Sequence, residues 1–219
     1  MNASFTIQKF LEIFERINAA MWPLHLVSYG VAAAVLVLVV GKHRSSSSLV
    51  YVGLAILWVF AGVVFHWIYF RPVAKAGVPL AILFAAQASI FLVAAYHPRT
   101  VFRFDGTLYS WFGLVLVAFS LGGYPTVAYL VRGNMRQAAW IGAFPCPVGL
   151  FTLGLFLLTE RVVPKFLLVI PTLWAAAGVW PLSLGIVEDS SLVVGGLLAS
   201  GLILYRDRRP YAREPSVSA

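Results

Sequence analysis

The polar residues of this chain gather in short clusters, and the stretches between them stay apolar for close to twenty residues at a time. At 1.5 Å of rise per residue, a helical block of that length matches a hydrocarbon core of about 30 Å. Seven blocks read as spans: residues 22–41, 49–70, 77–96, 108–131, 141–159, 166–187 and 191–205. Lys42-His43-Arg44 and a run of four serines close the first, Arg71-Pro72 closes the second, and the glycine-rich seventh is the shortest. Ahead of them, Phe5, Phe10, Leu11, Phe14 and Ile17 recur largely at helical spacing, which predicts an amphipathic helix lying at the membrane surface. The expected fold is therefore all-α, a polytopic transmembrane helical bundle. Its expected parts are an amphipathic segment (1–21), a bundle of about seven spans (22–205) and a basic, disordered tail (206–219).

The fifth block is the least regular. Pro145 and Pro147 flank Cys146, remove two backbone donors and disfavour helix at the residues before them. The favoured reading is a helix that begins after Pro147, with Pro-Cys-Pro at the interface. The alternative is a re-entrant break lining a cavity, as in transporters, which would lower the span count to six.

Composition supports the membrane class: 61% of residues are hydrophobic and 11% charged, whereas soluble domains carry about 25% charged residues. The net charge of +8 does not form a dense basic stripe. Its Lys and Arg residues flank the apolar blocks, as the positive-inside effect and anionic headgroups require, so no nucleic-acid partner is expected. Ten basic residues fall on the side of the C-terminal tail and six on the other, which predicts a cytoplasmic C-terminus. The single cysteine excludes an intrachain disulfide framework.

Candidate chemistry is sparse. All eight acidic residues lie outside the spans or at their edges, which argues against an ion-coupled pump built on a buried carboxylate and removes the usual general base. The last two spans hold no lysine for a Schiff base. What remains is His25, His66 and Cys146, with Tyr124 and Trp180, all placed by span alternation near one membrane face. Imidazole and thiolate suit zinc, copper(I) or, for histidine, haem, so His25, His66 and Cys146 form a speculative metal set although no cofactor is called for. The competing reading makes the histidines headgroup-level residues and Cys146 a small apolar filler. Gln87, deep in the third block, is expected to hydrogen-bond another helix, and Ala118, Gly122, Gly195, Gly196 and Gly201 to permit close helix approach.

Several motifs carry a resemblance. Thr6 through Phe10, Phe14, Asn18, Ala19 and Trp22-Pro23 come first, followed by Phe65-His66-Trp67 and Pro145-Cys146-Pro147 with Thr152-Leu153-Gly154. Leu168-Val169-Ile170-Pro171, Leu173-Trp174 and the acidic turn Val187-Glu188-Asp189 complete the set. Together, and in this order, they resemble an uncharacterised bacterial multi-pass membrane protein family, domain-of-unknown-function family 6064. The resemblance implies a bacterial inner-membrane location and no activity. The residues themselves point to binding or transport of a small molecule, metal or lipid. The alternative is a non-catalytic accessory subunit of a larger membrane complex, and an enzyme is not expected. The bilayer is the expected partner, with other membrane proteins or further copies of the chain.

Overall fold

The computed structural model describes residues 6–41, 46–160 and 162–208. Phe5, the Lys42-His43-Arg44 linker and the tail from Arg209 onward, all used in the sequence reading, lie outside the described residues. Within them the chain is helical, without a strand. The extended pairing consists of isolated bridges, Phe102 with Thr159 and Ile141 with Phe144.

The first helix, α1 (Ile7–Met21), is amphipathic, as its sequence pattern requires, and its N-terminus is capped by Thr6. It meets α2 (Leu24–Val40) at 88°, so the two cannot share one membrane axis. The apolar face of α1 differs from expectation in its partner. Phe10, Ile13, Phe14 and Ile17 are buried against the bundle instead of lying in lipid, and Phe10 and Phe14 meet the ring of Phe65.

Four described helical stretches are long and apolar enough to cross a membrane: Ser47–Phe70, Gly77–Tyr96, Leu108–Arg132 and Phe166–Ser183. The bent pair of α1 and α2 would make a fifth. The structure thus does not reach seven full-length spans. α3 (Ser46–Ala61) continues through a π-helical segment, Gly62–Phe70, and α4 (Gly77–Tyr96) packs against it. α5 (Leu108–Ala118) continues through a second π segment, Phe119–Gly123, into α6 (Tyr124–Arg132). α7 (Pro145–Leu157) has 13 residues, about 20 Å of helix, which falls short of the hydrocarbon core. After α8 (Phe166–Ala177) and α9 (Val179–Ser183), a third π segment, Ser191–Gly196, leads into α10 (Leu197–Arg206).

α7 is the centre of the bundle. Every residue from Pro147 to Leu157 is buried, and α3, α5, α8 and α10 all pack on it. Such a helix must find partners for its free terminal groups inside the protein. Pro145 and Pro147 delete two of the unpaired N–H groups of the first turn, so the Pro-Cys-Pro run is the helix start itself, three residues earlier than expected. At the other end, Arg206 of α10 donates to the carbonyls of Leu157 and Thr159, each at 3.3 Å, and to Thr159 Oγ1 at 2.9 Å. A cation there also opposes the negative end of the helix dipole. Midway, Trp58 Nε1 donates to Thr152 Oγ1 at 2.9 Å, which ties α3 to α7.

Close packing on α7 rests on glycine, in part at positions other than those expected. A Cβ on Gly113 would lie 2.6 Å from the carbonyl oxygen of Gly154, and one on Gly154 would lie 2.9 Å from that of Gly113. α5 and α7 therefore cross backbone to backbone. Gly195 and Gly196 do face close neighbours, Leu116 and Ala175, whereas Gly122 and Gly201 face open space. Sequence spacing identifies small residues but not which side of the helix meets a partner. Gln87 fulfils its expectation: fully buried, it donates to the carbonyl of Leu167 at 3.4 Å.

Replacing Gly154 by leucine should lower the thermal stability of detergent-purified protein by about 1–3 kcal/mol or abolish its folding, because the crossing cannot widen freely. Gly122→Ala should leave the melting temperature within a degree or two. Fluorescence-detected size exclusion after a heat ramp measures both. Arg206→Ala should cost about 1–3 kcal/mol in the same assay by leaving the α7 carbonyls without a donor.

Candidate ligand cavity

The Gly62–Phe70 π segment, α1, the start of α7 and the α8–α9 region enclose a cavity of about 490 Å³. Its walls are aromatic: Phe10, Phe14, Phe65, Phe70, Phe144, Trp174 and Trp180. Exposed Val73, Ala76, Ala177 and Trp180 form its rim, between the α3–α4 turn and the α8–α9 junction. Polar lining is limited to His66, Cys146, Asp189 and the indole edge of Trp174.

Each polar group arrives by a local device. The π-helical winding around His66 adds a residue per turn relative to α-helix and re-aims the side chains that follow; such segments recur at functional sites. His66 is 1% exposed and sits among Phe84, Phe65 and Trp174 with ring centroids 4.7, 5.2 and 5.3 Å away. Neither of its ring nitrogens has a hydrogen-bond partner. Gly149 makes room for Trp174, since a Cβ there would stand 2.9 Å from the indole Cδ1. The indole Nε1 faces the Cys146 thiol without a well-formed hydrogen bond.

Cys146, in the first turn of α7, donates its thiol proton to Asp189 Oδ2 at 3.3 Å. Asp189 belongs to a tightly coiled turn before the third π segment, where Ile186 N donates to Pro181 O and Asp189 N to Ile186 O. Gly185, at φ +102°, supplies the left-handed step that lets the turn fold inward. The hydroxyl of Tyr124 faces the same carboxylate and Ser191 without forming a well-aligned hydrogen bond. Beside Asp189, Glu188 is 1% exposed and forms a two-pronged ion pair with Arg132, one arm at 3.0 Å (Nη1 to Oε2) and the other between Nη2 and Oε1. Arg132 also donates to the carbonyl of Gln137 at 3.1 Å, and Gly133, at φ +66°, caps α6 immediately after it.

Arg132 thus pairs with Glu188 alone, and Asp189 is left with the Cys146 thiol. Burial, reinforced by the charge of Glu188, pushes the Asp189 carboxyl from 3.8 up to about 7, against the opposing effects of Cys146, Tyr124 and Arg132.

Of the residues singled out in the sequence, the fold brings His66, Cys146 and Trp180 to one cavity, with Tyr124 behind Asp189 in its wall. His25 lies apart, buried and without a partner on either ring nitrogen. It lines a second, more open cavity of about 670 Å³ with Asn18, Trp22, Tyr29, Arg136 and Trp140. No three His, Cys, Asp or Glu side chains group as metal ligands among the described residues, so the proposed set of His25, His66 and Cys146 is not assembled.

The acidic pair needs a correction. Glu188 and Asp189 count as edge residues in the sequence, yet the turn carries both into the interior. Their position between two apolar blocks gave no hint of this, and the signals that did exist were the distant Arg132 and the Asp-Cys pairing.

Residues 7–214 match the model of the Family of unknown function (DUF6064). The chain belongs to that family. No curated protein and no solved structure matches it. In this DUF6064 member, then, the cavity has to be read from its own residues.

Because the folded-state value of Asp189 is raised, the unfolded chain releases this proton at lower pH, and stability must fall as pH rises from about 4 through about 7. Asp189→Asn should flatten that part of the melting-temperature profile relative to wild type. Arg132→Ala should cost about 3–5 kcal/mol by leaving Glu188 buried and unpaired, and Glu188→Gln in the same chain should recover part of the loss.

Proposed function

We propose that this protein binds a small, largely apolar molecule in the aromatic cavity, as a membrane-embedded binding or transport protein. The observation that carries this reading is His66. A buried imidazole with two unpaired nitrogens is costly unless something pairs with it, and it faces a cavity of ligand size. Cavities of about 300–1,000 Å³ with apolar walls and a few convergent polar groups are the common form of small-molecule sites. The rim at the α3–α4 turn and the α8–α9 junction provides an entry near one end of the bundle.

We further propose a multi-pass protein of a bacterial inner membrane with its C-terminus in the cytoplasm. Counted on the seven-span reading of the sequence, the basic residues divide ten to six in favour of this orientation. A C-terminal alkaline phosphatase fusion should then be inactive and a green fluorescent protein fusion bright; the reverse pattern would invert the topology.

Binding can be tested with N-phenyl-1-naphthylamine, a neutral apolar fluorophore, on protein in lipid nanodiscs. Saturable enhancement should occur in wild type. It should drop at least tenfold in Ala74→Phe, which fills the half-buried lining position, while the melting temperature holds. Equal saturable binding in both proteins would place the probe elsewhere and remove support for the cavity.

A further inference from the structure

The ligand class can be narrowed by asking which charge this cavity tolerates. No lysine or arginine is among its lining residues, and Arg132, beside the acidic turn, is committed to Glu188 and to the Gln137 carbonyl. Asp189, 2% exposed, is the one carboxylate among the described lining residues. Seven aromatic side chains line the same cavity, and their ring faces are electron-rich and attract cations. An anionic ligand would meet a carboxylate and no counter-charge. A purely neutral one would leave that carboxylate, once ionised, buried without a full partner.

We infer that the occupant is a lipophilic organic cation, an ammonium with apolar or aromatic substituents, whose charged nitrogen sits at Asp189 within the aromatic wall and exchanges with the proton of that carboxyl. This rests on the cavity being a binding site at all. The unpaired His66 nitrogens, which face the same space, supply a neutral acceptor for an N–H of a protonated amine.

The exchange balances simply. With the cavity empty and the pH below about 7, Asp189 holds a proton, and the Asp189–Cys146–Tyr124 group is neutral beside the Arg132–Glu188 pair. When the cation enters, the Asp189 O–H proton leaves to water and the carboxylate that remains neutralises the ligand, so the buried charge is unchanged. The groups facing Asp189 are Cys146 on α7, Tyr124 and Arg132 on α6, and Glu188 on its own turn, with His66 across the cavity. A proton that departs as a cation binds makes the two competitive, which is the thermodynamic requirement for proton–cation exchange.

Phenyltrimethylammonium and its neutral carbon isostere, tert-butylbenzene, form the test. The cation's charge is fixed at every pH, so any pH dependence of binding comes from the protein. Titration calorimetry on nanodisc-embedded protein should show the cation binding at least tenfold more tightly than the isostere at pH 8. Its affinity should fall about tenfold per unit below pH 7, and close to one proton should be released per cation at pH 6, read from the enthalpy difference between two buffers. Asp189→Asn should erase the preference for the cation and the proton release, and Asp189→Glu should restore both in part. Equal binding of cation and isostere, independent of pH, would overturn the cation assignment while leaving the cavity as an apolar site. Binding of neither would remove both readings. If Asp189→Asn proves unstable, the cation-to-isostere ratio and the proton count in wild type decide the matter alone.

Discussion

A helix buried on all sides in a membrane bundle has to satisfy the charge and hydrogen-bonding capacity of its two ends without help from water. α7 meets that constraint by borrowing from the C-terminal part of the chain. Prolines at 145 and 147 delete donors at its start, and Asp189 accepts the thiol proton of Cys146 in its first turn. Arg206 brings a guanidinium to the carbonyls at its far end. Asp189 stands just before one continuous π-then-α helix, 191–206, and Arg206 ends it, so one neighbouring segment serves both ends of α7. The remaining helices pack around this clamped rod, and the cavity opens where its N-terminal end meets α1, the Gly62–Phe70 segment and α8.

The three π-helical segments follow the same logic. Each one borders the site: Gly62–Phe70 contains His66, Phe119–Gly123 delivers Tyr124, and Ser191–Gly196 begins two residues after Asp189. A wider turn shifts the register of a helix midway, so one stretch of chain can pack as a regular span at one end and turn a polar residue inward at the other. Such winding is poorer in hydrogen-bond geometry than α-helix, and its concentration around one cavity sets that region apart from the regular spans.

The buried ion pair of Arg132 and Glu188 links the two halves of this arrangement. It spans from the end of α6 to the turn before the third π segment and lies almost entirely out of solvent. Pairs of this kind contribute little net stability compared with apolar packing, but they fix one arrangement over others because a broken pair is so unfavourable. Here the pair holds the acidic turn inward and thereby sets where Asp189 stands.

The sequence by itself determined the class of the protein, the rough placement of its helices and its amphipathic first helix, because these follow from local hydrophobic pattern. The third block, 77–96, and the helix Gly77–Tyr96 coincide. Alternation of seven spans placed His25, His66, Cys146, Tyr124 and Trp180 near one face; of these, His66, Cys146 and Trp180 line one cavity in the fold. Only tertiary structure decided that α1 packs on protein, that α5 crosses α7 at Gly113 and Gly154, and that His25 occupies a separate cavity. Above all, it decided that Glu188 and Asp189 turn inward. Charges at the edge of an apolar block look the same in sequence whether they face water or an arginine fifty-six residues away, and which of these holds depends on partners that only folding brings together.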